Sequence, residues 1–184
     1  KNVVDPQQII ENYGADTARF FVLSDSPPNR DMEWSDSGVE GSWRFLNKLW
    51  KFVQNLPKKN TTDKLPKNIT EKNKELLISM NETIRDVTKA IDEFHFNIAV
   101  AQTRSLFNMV FSHKIESDDD IKVILFVTRR LLVLINPMVP HIAEELWCSL
   151  GNKNLILDEA WPKFDSSYIE KNNVKIPIQV NGKV

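Results

Sequence analysis

The sequence predicts a mainly α protein: an antiparallel helical bundle, preceded by a short two-helix connector and followed by a β segment. Over most of residues 39–135, apolar residues recur at alternating spacings of three and four, which is the period of an amphipathic helix. Helix start and stop residues flank these runs, and short connections between them favour antiparallel neighbours. Residues 175–184 alternate instead as a strand does and contain an Asn-Gly turn.

The connector is predicted from residues that typically start and end helices. Asp5 can cap a helix over residues 6–13, for which Pro6 suits the first position, and Gly14 can end that helix in a left-handed conformation. Asp16 falls in the first turn of a second helix, where the helix dipole favours an anion. Two prolines then stop the second helix and open an exposed loop.

The third helix, over residues 39–55, combines a wide apolar stripe with a polar ridge. The stripe includes Trp43 and Trp50 and is expected to face the core. The ridge carries three cations within about three turns and consists of Arg44, Asn47, Lys48, Lys51 and Asn55. A solvated face is the simpler interpretation, since most basic helix faces only keep a protein soluble. Contact with nucleic-acid phosphates is the functional one.

A surface linker rich in proline and lysine, residues 57–68, leads into the next two helices. Thr70 can cap the first of them, and its apolar positions from Leu77 to Phe94 form a packing seam. The seam also suits a dimeric coiled coil, but short connections to later helices favour partners within the chain. The second helix covers residues 97–111, and Arg104 is expected to face outward.

A further helix is predicted over residues 121–135, with three aspartates, residues 118–120, at its start. A calcium or magnesium loop would need alternating oxygen ligands and a glycine, so stabilisation by the helix dipole is the better interpretation of these carboxylates. The helix is apolar on most sides and should be the most buried. Lys122 and Arg129 are seven residues apart and therefore share a face of the helix. This solvent-exposed strip is expected to contact either RNA or water.

The last predicted helix begins at Pro140 and invites a catalytic interpretation. His141 and Glu144 share one helix, but a zinc hydrolase helix needs a second histidine nearby, so no metal site is predicted. His141 is expected to bond a neighbouring carbonyl or carboxylate. Cys148 has no neighbouring base and is interpreted as a small filler of the core.

Composition excludes several classes of protein. A single cysteine in 184 residues rules out a disulfide framework, and a reducing cytoplasm is the simplest setting. No run is apolar for long enough to span a membrane, and no signal peptide is evident. Since the net charge is −1, any nucleic acid must bind a local basic face rather than an overall positive field.

Ordered stretches along the whole chain resemble one enzyme family. Residues 2–23, NVVDPQQIIENYGADTARFFVL, resemble the run that follows the KMSKS loop of class I aminoacyl-tRNA synthetases. Residues 24–50, SDSPPNRDMEWSDSGVEGSWRFLNKLW, are similar to the leucine-specific enzymes of bacterial type more than to the valine, isoleucine or methionine ones. The runs NPMVPHIAEELW at 136–147 and IPIQVNGKV at 176–184 agree with that family.

This resemblance implies an anticodon-binding-type bundle of class Ia and three regions. Residues 1–35 would be the connector from the catalytic domain, residues 36–152 the bundle, and residues 153–184 a linker and the start of a truncated C-terminal α+β domain. The chain is therefore expected to be a fragment. Neither catalytic residues nor sites for a cofactor or a metal are expected within it.

The resemblance also implies a function for the parent enzyme, a cytoplasmic monomer that joins leucine to tRNA(Leu) using ATP with Mg²⁺, through a leucyl-adenylate. In this family the first bundle helix lies near the inner side of the L-shaped tRNA, so Arg44, Lys48 and Lys51 are the leading candidates for tRNA contact. Lys122 and Arg129 follow them. The contacts would be with sugar and phosphate rather than anticodon bases.

Two alternatives remain open at this point. One is the corresponding region of a valyl- or isoleucyl-tRNA synthetase. The other is a free-standing helical RNA-binding or adaptor module with no enzyme attached.

Overall fold

The computed structural model describes residues 4–57 and 63–169, and within them the chain is helical, as predicted. The α-helices of these residues are α1 (Pro6–Tyr13), α2 (Ala15–Asp25), α3 (Asp36–Gln54), α4 (Glu71–Asp92), α5 (Phe96–Ser112), α6 (Asp118–Ile135), α7 (Pro140–Ser149) and α8 (Ser166–Ile169). A 3₁₀ turn covers Ile156–Asp158. The β segment predicted at residues 175–184 lies outside the described residues. None of the helices described is both long enough and apolar enough to cross a membrane.

Capping residues set the helix boundaries, as the sequence indicated. The Asp5 carboxylate accepts a hydrogen bond from the backbone N–H of Gln7 at 2.9 Å. The Thr70 hydroxyl accepts one from the N–H of Asn73 at 3.4 Å. Gly14 differs from its prediction: its φ of 85° is positive, but its ψ of 154° is extended, so it separates α1 from α2 without adopting a left-handed helical conformation.

The core lies among α4, α5 and α6, with α2, α3 and α7 packed around them. The seam residues of α4 are buried in this shared core, which confirms that they pack within the chain: Leu77, Met80, Ile84 and Val87. The prediction that α6 is the most buried helix is also confirmed, since eleven of its residues are buried.

Three side chains depart from their predicted environments. Phe94 lies beyond the end of α4, in a turn with φ of 59°, and is 65% exposed rather than part of the seam. Arg104 does not face outward, because its guanidinium lies 4.9 Å from the ring centre of Phe45, and burial lowers its pKa. Cys148 is exposed rather than a core filler.

Polar contacts join the connector to the bundle at the turn between α6 and α7. The Asp16 carboxylate, nearly buried, accepts hydrogen bonds from the N–H of Ile142 at 2.7 Å and contacts Nδ1 of His141 at 2.8 Å. Arg19 donates to the carbonyls of residues 137 and 138, at 2.8 and 3.2 Å. Asp16 therefore caps α7 as well as lying in the first turn of α2, and the predicted bond from His141 to a carboxylate is confirmed.

The stretch after α7 returns to the bundle. The indole N–H of Trp161 donates to the Thr88 hydroxyl at 2.8 Å, and the N–H of Asp165 donates to the Asn81 side chain at 2.7 Å. Both acceptors lie on α4, against which α8 also packs. Residues 153–169 are thus part of the packed structure.

Candidate nucleic-acid interface

The polar ridge of α3 forms one side of an open groove of about 660 Å³. All five predicted ridge residues line it, namely Arg44, Asn47, Lys48, Lys51 and Asn55. Its apolar lining comes from α3, from the residues just after α3 and from the end of α5 and its following loop: Trp43, Phe52, Leu56, Pro57, Phe111 and Ile115. The ridge was visible in the sequence, whereas the contribution of α5 was not.

The geometry of α3 explains why the ridge is accessible. Its buried residues are Val39, Ser42, Phe45, Leu46, Leu49 and Val53, which lie on one side of the helix and leave the ridge on the other. Trp43 was predicted to belong to the buried stripe, but it is 42% exposed. It lies at the border between the two faces, where it contacts the ring of Tyr13 with centroids 6.4 Å apart. The helix period alone does not decide which border residue is covered.

Lys48 is held over an aromatic side chain. Its Nζ lies 3.9 Å from the ring centre of Phe111 and 5.6 Å from that of Phe107. Such contacts attract a cation to the ring face without using its hydrogen-bond donors. The Lys48 ammonium is therefore held at the groove while it remains able to donate to an anion.

The other two cations are also available at the groove. Arg44 pairs with Glu40 at 3.1 Å, but both side chains are more than half exposed, and a pair of this kind contributes about 0.3–0.5 kcal/mol. A phosphate can therefore compete for Arg44. Lys51 is exposed and makes no ion pair within residues 4–57 and 63–169. The groove thus presents three positively charged side chains that can bind an anion.

Lys122 and Arg129 do not form the solvent-exposed strip that their spacing suggested. Lys122 is partly exposed and pairs with Asp119 at 2.7 Å. The Arg129 side chain is only 10% exposed and lies 3.6 Å from Asp63 in the linker. The expected solvent-exposed strip is wrong for Arg129, because its side chain is nearly buried beside Asp63, and the helix period cannot show a contact with so distant a residue.

Asp120 belongs to a polar cluster that the sequence did not reveal. Helix α6 begins at Asp118, three residues earlier than predicted, and Asp120 turns inward. It accepts hydrogen bonds from the Glu116 N–H at 2.9 Å, from Asn73 at 2.9 Å and from Lys72 at 3.1 Å. Burial by itself raises the pKa of Asp120, but these hydrogen bonds outweigh it and hold that pKa well below its usual range. The cluster joins α4 to the start of α6 and has a structural role.

A protein-family model describes the same region of the chain. Residues 73–184 match the model of the anticodon-binding domain of tRNA ligase. The chain belongs to this anticodon-binding domain family. The match begins inside α4, so α3 lies before the part that the model describes, whereas Phe111 and Ile115 of the groove lie within it.

Relatives of this anticodon-binding chain extend the similarity to its whole length. It is 36% identical to the leucine–tRNA ligase of Fusobacterium nucleatum, 43% to that of Geotalea uraniireducens and 42% to that of Maricaulis maris. Each alignment covers 100% of this chain and 21–23% of the relative. The chain therefore spans less than a quarter of these relatives. The resemblance to leucine-specific synthetases is confirmed, including for the first 72 residues that the family model leaves out.

Solved structures agree with the architecture. The leucyl-tRNA synthetase of Agrobacterium radiobacter, in a ternary complex with tRNA and LeuAMS, matches 99% of this chain and 23% of its own, with a TM-score of 0.84 and 28% identity. The methionyl-tRNA synthetase of Mycobacterium tuberculosis matches 78% of this chain and 34% of its own, with a TM-score of 0.62 and 20% identity. The second likeness concerns the fold alone. The prediction of an anticodon-binding-type helical bundle is confirmed.

Proposed function

We propose that this chain is the tRNA-docking portion of a leucine–tRNA ligase, the enzyme that attaches leucine to tRNA(Leu). The observation that carries the proposal is the groove on α3, where Arg44, Lys48 and Lys51 are exposed along one open face. Similarity to leucine–tRNA ligases over the whole chain supports the choice of amino acid. A synthetase crystallised with tRNA shares the fold, which supports RNA as the partner.

The chemistry would take place elsewhere in the parent enzyme. We propose that the parent activates leucine with ATP and Mg²⁺, forms a leucyl-adenylate, and works as a cytoplasmic monomer. The described lining of the groove includes no serine, cysteine, histidine or carboxylate, and its three cations suit binding of phosphate rather than catalysis. The 184-residue chain by itself should therefore catalyse no leucine-dependent exchange of pyrophosphate into ATP.

The three regions of the chain would have different roles. Residues 1–35 would connect the bundle to the catalytic domain, residues 36–152 would dock the tRNA body, and residues 153–184 would lead into a C-terminal α+β domain. Contacts of Asp16 and Arg19 with the turn between α6 and α7 support the connector role, since they tie the two regions together.

Binding is expected to be electrostatic. Cations that neutralise phosphates release counterions, so affinity falls with salt, and each lost phosphate contact lowers the salt slope by about one. We propose Lys122 as a separate, peripheral phosphate contact. Arg129 is a weaker candidate, because it is nearly buried beside Asp63.

The proposal is tested in the parent enzyme with the substitutions Arg44→Ala, Lys48→Ala and Lys51→Ala combined. Affinity for tRNA(Leu) is measured between about 50 and 200 mM salt. The variant should bind more weakly, with a salt slope reduced by about two to three, because the exposed cations of the groove are gone. Leucine-dependent pyrophosphate exchange should be unchanged, since leucine and ATP do not use this groove.

A matched control removes three cations from α4 instead, by Lys74→Ala, Arg85→Ala and Lys89→Ala. These side chains are also exposed and lie outside the groove, so the control changes the net charge equally. If the control lowers the slope as much, the effect is one of overall charge, and α3 is not the docking site. An unchanged slope in the groove variant leads to the same conclusion.

A further inference from the structure

A hydrogen bond ties the end of α5 to α4. His113 directly follows α5, and its Nε2 lies 2.8 Å from Oδ1 of Asn73. The side-chain NH₂ group of Asn73 donates to the buried carboxylate of Asp120 at 2.9 Å. Because an ionised carboxylate only accepts, this contact turns the Asn73 oxygen toward His113, whose Nε2 must then carry the proton. His113 is therefore the donor in this bond.

The segment around His113 also forms one wall of the groove on α3. Phe111 precedes His113 by two residues and Ile115 follows it by two, and both line the groove. Phe111 holds the Lys48 ammonium 3.9 Å from its ring centre. Residues 111–115 thus contribute to the groove and are also tied to α4. A change in this tie can therefore move the wall.

His113 lies where a positive charge is unfavourable. Its side chain is half-buried, and burial is the main reason why its pKa lies below the usual value for histidine. The carboxylates of Asp120 and Glu116 act in the opposite direction. Both pair with the ammonium of Lys72, at 3.1 and 2.6 Å, and this cation offsets part of their effect on His113. An open cavity of about 360 Å³ reaches His113, and its other charged lining residues among those described are Glu75 and Lys114.

We propose that the bond from His113 to Asn73 positions the wall formed by residues 111–115, and that charging His113 in mild acid loosens this wall and weakens binding of tRNA. This inference rests on the proposed function, since it takes the groove to be where tRNA binds. The pKa of His113 is lower in the folded chain than in the unfolded one, so the stabilisation from its neutral form is fully present above the unfolded pKa of about 6.5. It is lost as pH falls from there toward the folded pKa. His113 acts through Phe111 and is thus a positioning residue.

Acidification separates this effect from simple electrostatics, because the two act on RNA binding with opposite signs. A charged histidine adds positive charge, which by itself strengthens attraction to phosphates. Loosening of the wall weakens binding instead. A loss of affinity in mild acid therefore does not follow from the added charge.

The test compares the parent enzyme with its His113→Gln variant in binding of tRNA(Leu), at fixed salt and at about pH 7.5 and about pH 5.5. The glutamine amide can donate to Asn73 as the neutral imidazole does, but it does not titrate. Between these two pH values the parent enzyme should lose about 2- to 12-fold in affinity relative to the variant, the effect of one lost hydrogen bond.

His95→Gln is the matched control, since His95 is also a histidine of this chain but is exposed in the turn between α4 and α5, beside Glu93 at 3.4 Å. It should keep the pH response of the parent enzyme. The proposal is refuted if the parent enzyme and His113→Gln change their affinity equally with pH, or if His95→Gln removes the response.

Hydrogen exchange of the parent enzyme without tRNA provides a second measurement. After α5, the N–H of Glu116 donates to Asp120 at 2.9 Å, and the N–H of Asp120 donates to Ser117 at 3.2 Å. Protection factors of peptides covering residues 111–120 should fall in mild acid in the parent enzyme but not in His113→Gln. Unchanged protection in the parent enzyme overturns the loosening of the wall. That failure differs from failure of the proposed function, in which the triple cation variant of α3 leaves the affinity for tRNA and its salt slope unchanged.

Discussion

Asp16→Ala should weaken the junction between connector and bundle. The carboxylate is nearly buried and accepts from the N–H of Ile142 at 2.7 Å, at the first turn of α7. Loss of a capping acceptor costs about 1 kcal/mol, and a buried N–H left without a partner costs about 1–3 kcal/mol. These two figures overlap, because they describe the same N–H group. The contact with His141 is largely exposed and adds little. We expect a loss of about 2 kcal/mol in the free energy of unfolding.

Urea unfolding of the 184-residue chain measures this change. With a typical slope of about 2 kcal/mol per molar urea, the midpoint should fall by roughly 1 M. Asp5→Ala provides the matched control, since Asp5 caps α1 with the same kind of bond at 2.9 Å but is exposed, on a helix with no buried residue. Its cost should stay near 0.5 kcal/mol, the low end for caps. Equal shifts for the two variants, or no shift for Asp16→Ala, would refute the argument from burial.

Two further predictions concern helix packing. Asp120→Asn should cost about 3 kcal/mol near neutral pH, because it removes a buried carboxylate that accepts several hydrogen bonds. The pKa of that carboxyl is depressed in the folded state, so its stabilisation is fully present above the unfolded pKa of about 4 and is lost as pH falls from there toward the folded pKa. Urea titrations should show a constant difference between the two proteins above about pH 4 and a narrowing one from there to about pH 3. Gly38→Ala should destabilise by about 1–3 kcal/mol, since a Cβ would lie 2.6 Å from the ring of Phe21. Gly41→Ala meets no atom within 4 Å and should instead stabilise α3 by roughly 0.5–1 kcal/mol, as thermal unfolding can measure.

One result would contradict the prediction for Asp120, and another would contradict the prediction for the two glycines. If Asp120→Asn and the parent chain keep a constant difference down to about pH 3, Asp120 is not the group whose titration weakens the fold. If Gly38→Ala and Gly41→Ala shift the melting temperature in the same direction, close approach of α2 to α3 does not decide the effect at Gly38.

The groove joins α3 to the part of the chain that the family model describes. The cations of this helix face outward because its opposite side packs into the bundle, and the bundle is what the chain shares with tRNA ligases. Lys48 shows how the fold adds to the helix: Phe111, more than sixty residues later in the chain, holds its ammonium at the groove. A basic ridge becomes a shaped site only once α5 lies beside it.

Local chemistry made the helices predictable. Caps such as Asp5 and Thr70 bond to amides two or three residues away, so the sequence contains both partners of each bond. The basic ridge of α3 followed from the helix period for the same reason, since residues three and four apart share a face. The resemblance to leucine-specific synthetases also needed no coordinates, because the ordered runs that carry it are in the sequence itself.

Tertiary structure decided which side chains are buried and which distant residues contact each other. Arg129 is nearly buried beside Asp63, the guanidinium of Arg104 lies over the ring of Phe45, and Trp43 is left exposed at the edge of the stripe. Asp16 caps a helix that lies more than a hundred residues further along the chain. The period of a single helix assigns a side chain to a face, but burial and hydrogen bonding depend on the packing of distant segments. The sequence by itself therefore determined the helices, the basic ridge and the family, while their packing determined the groove.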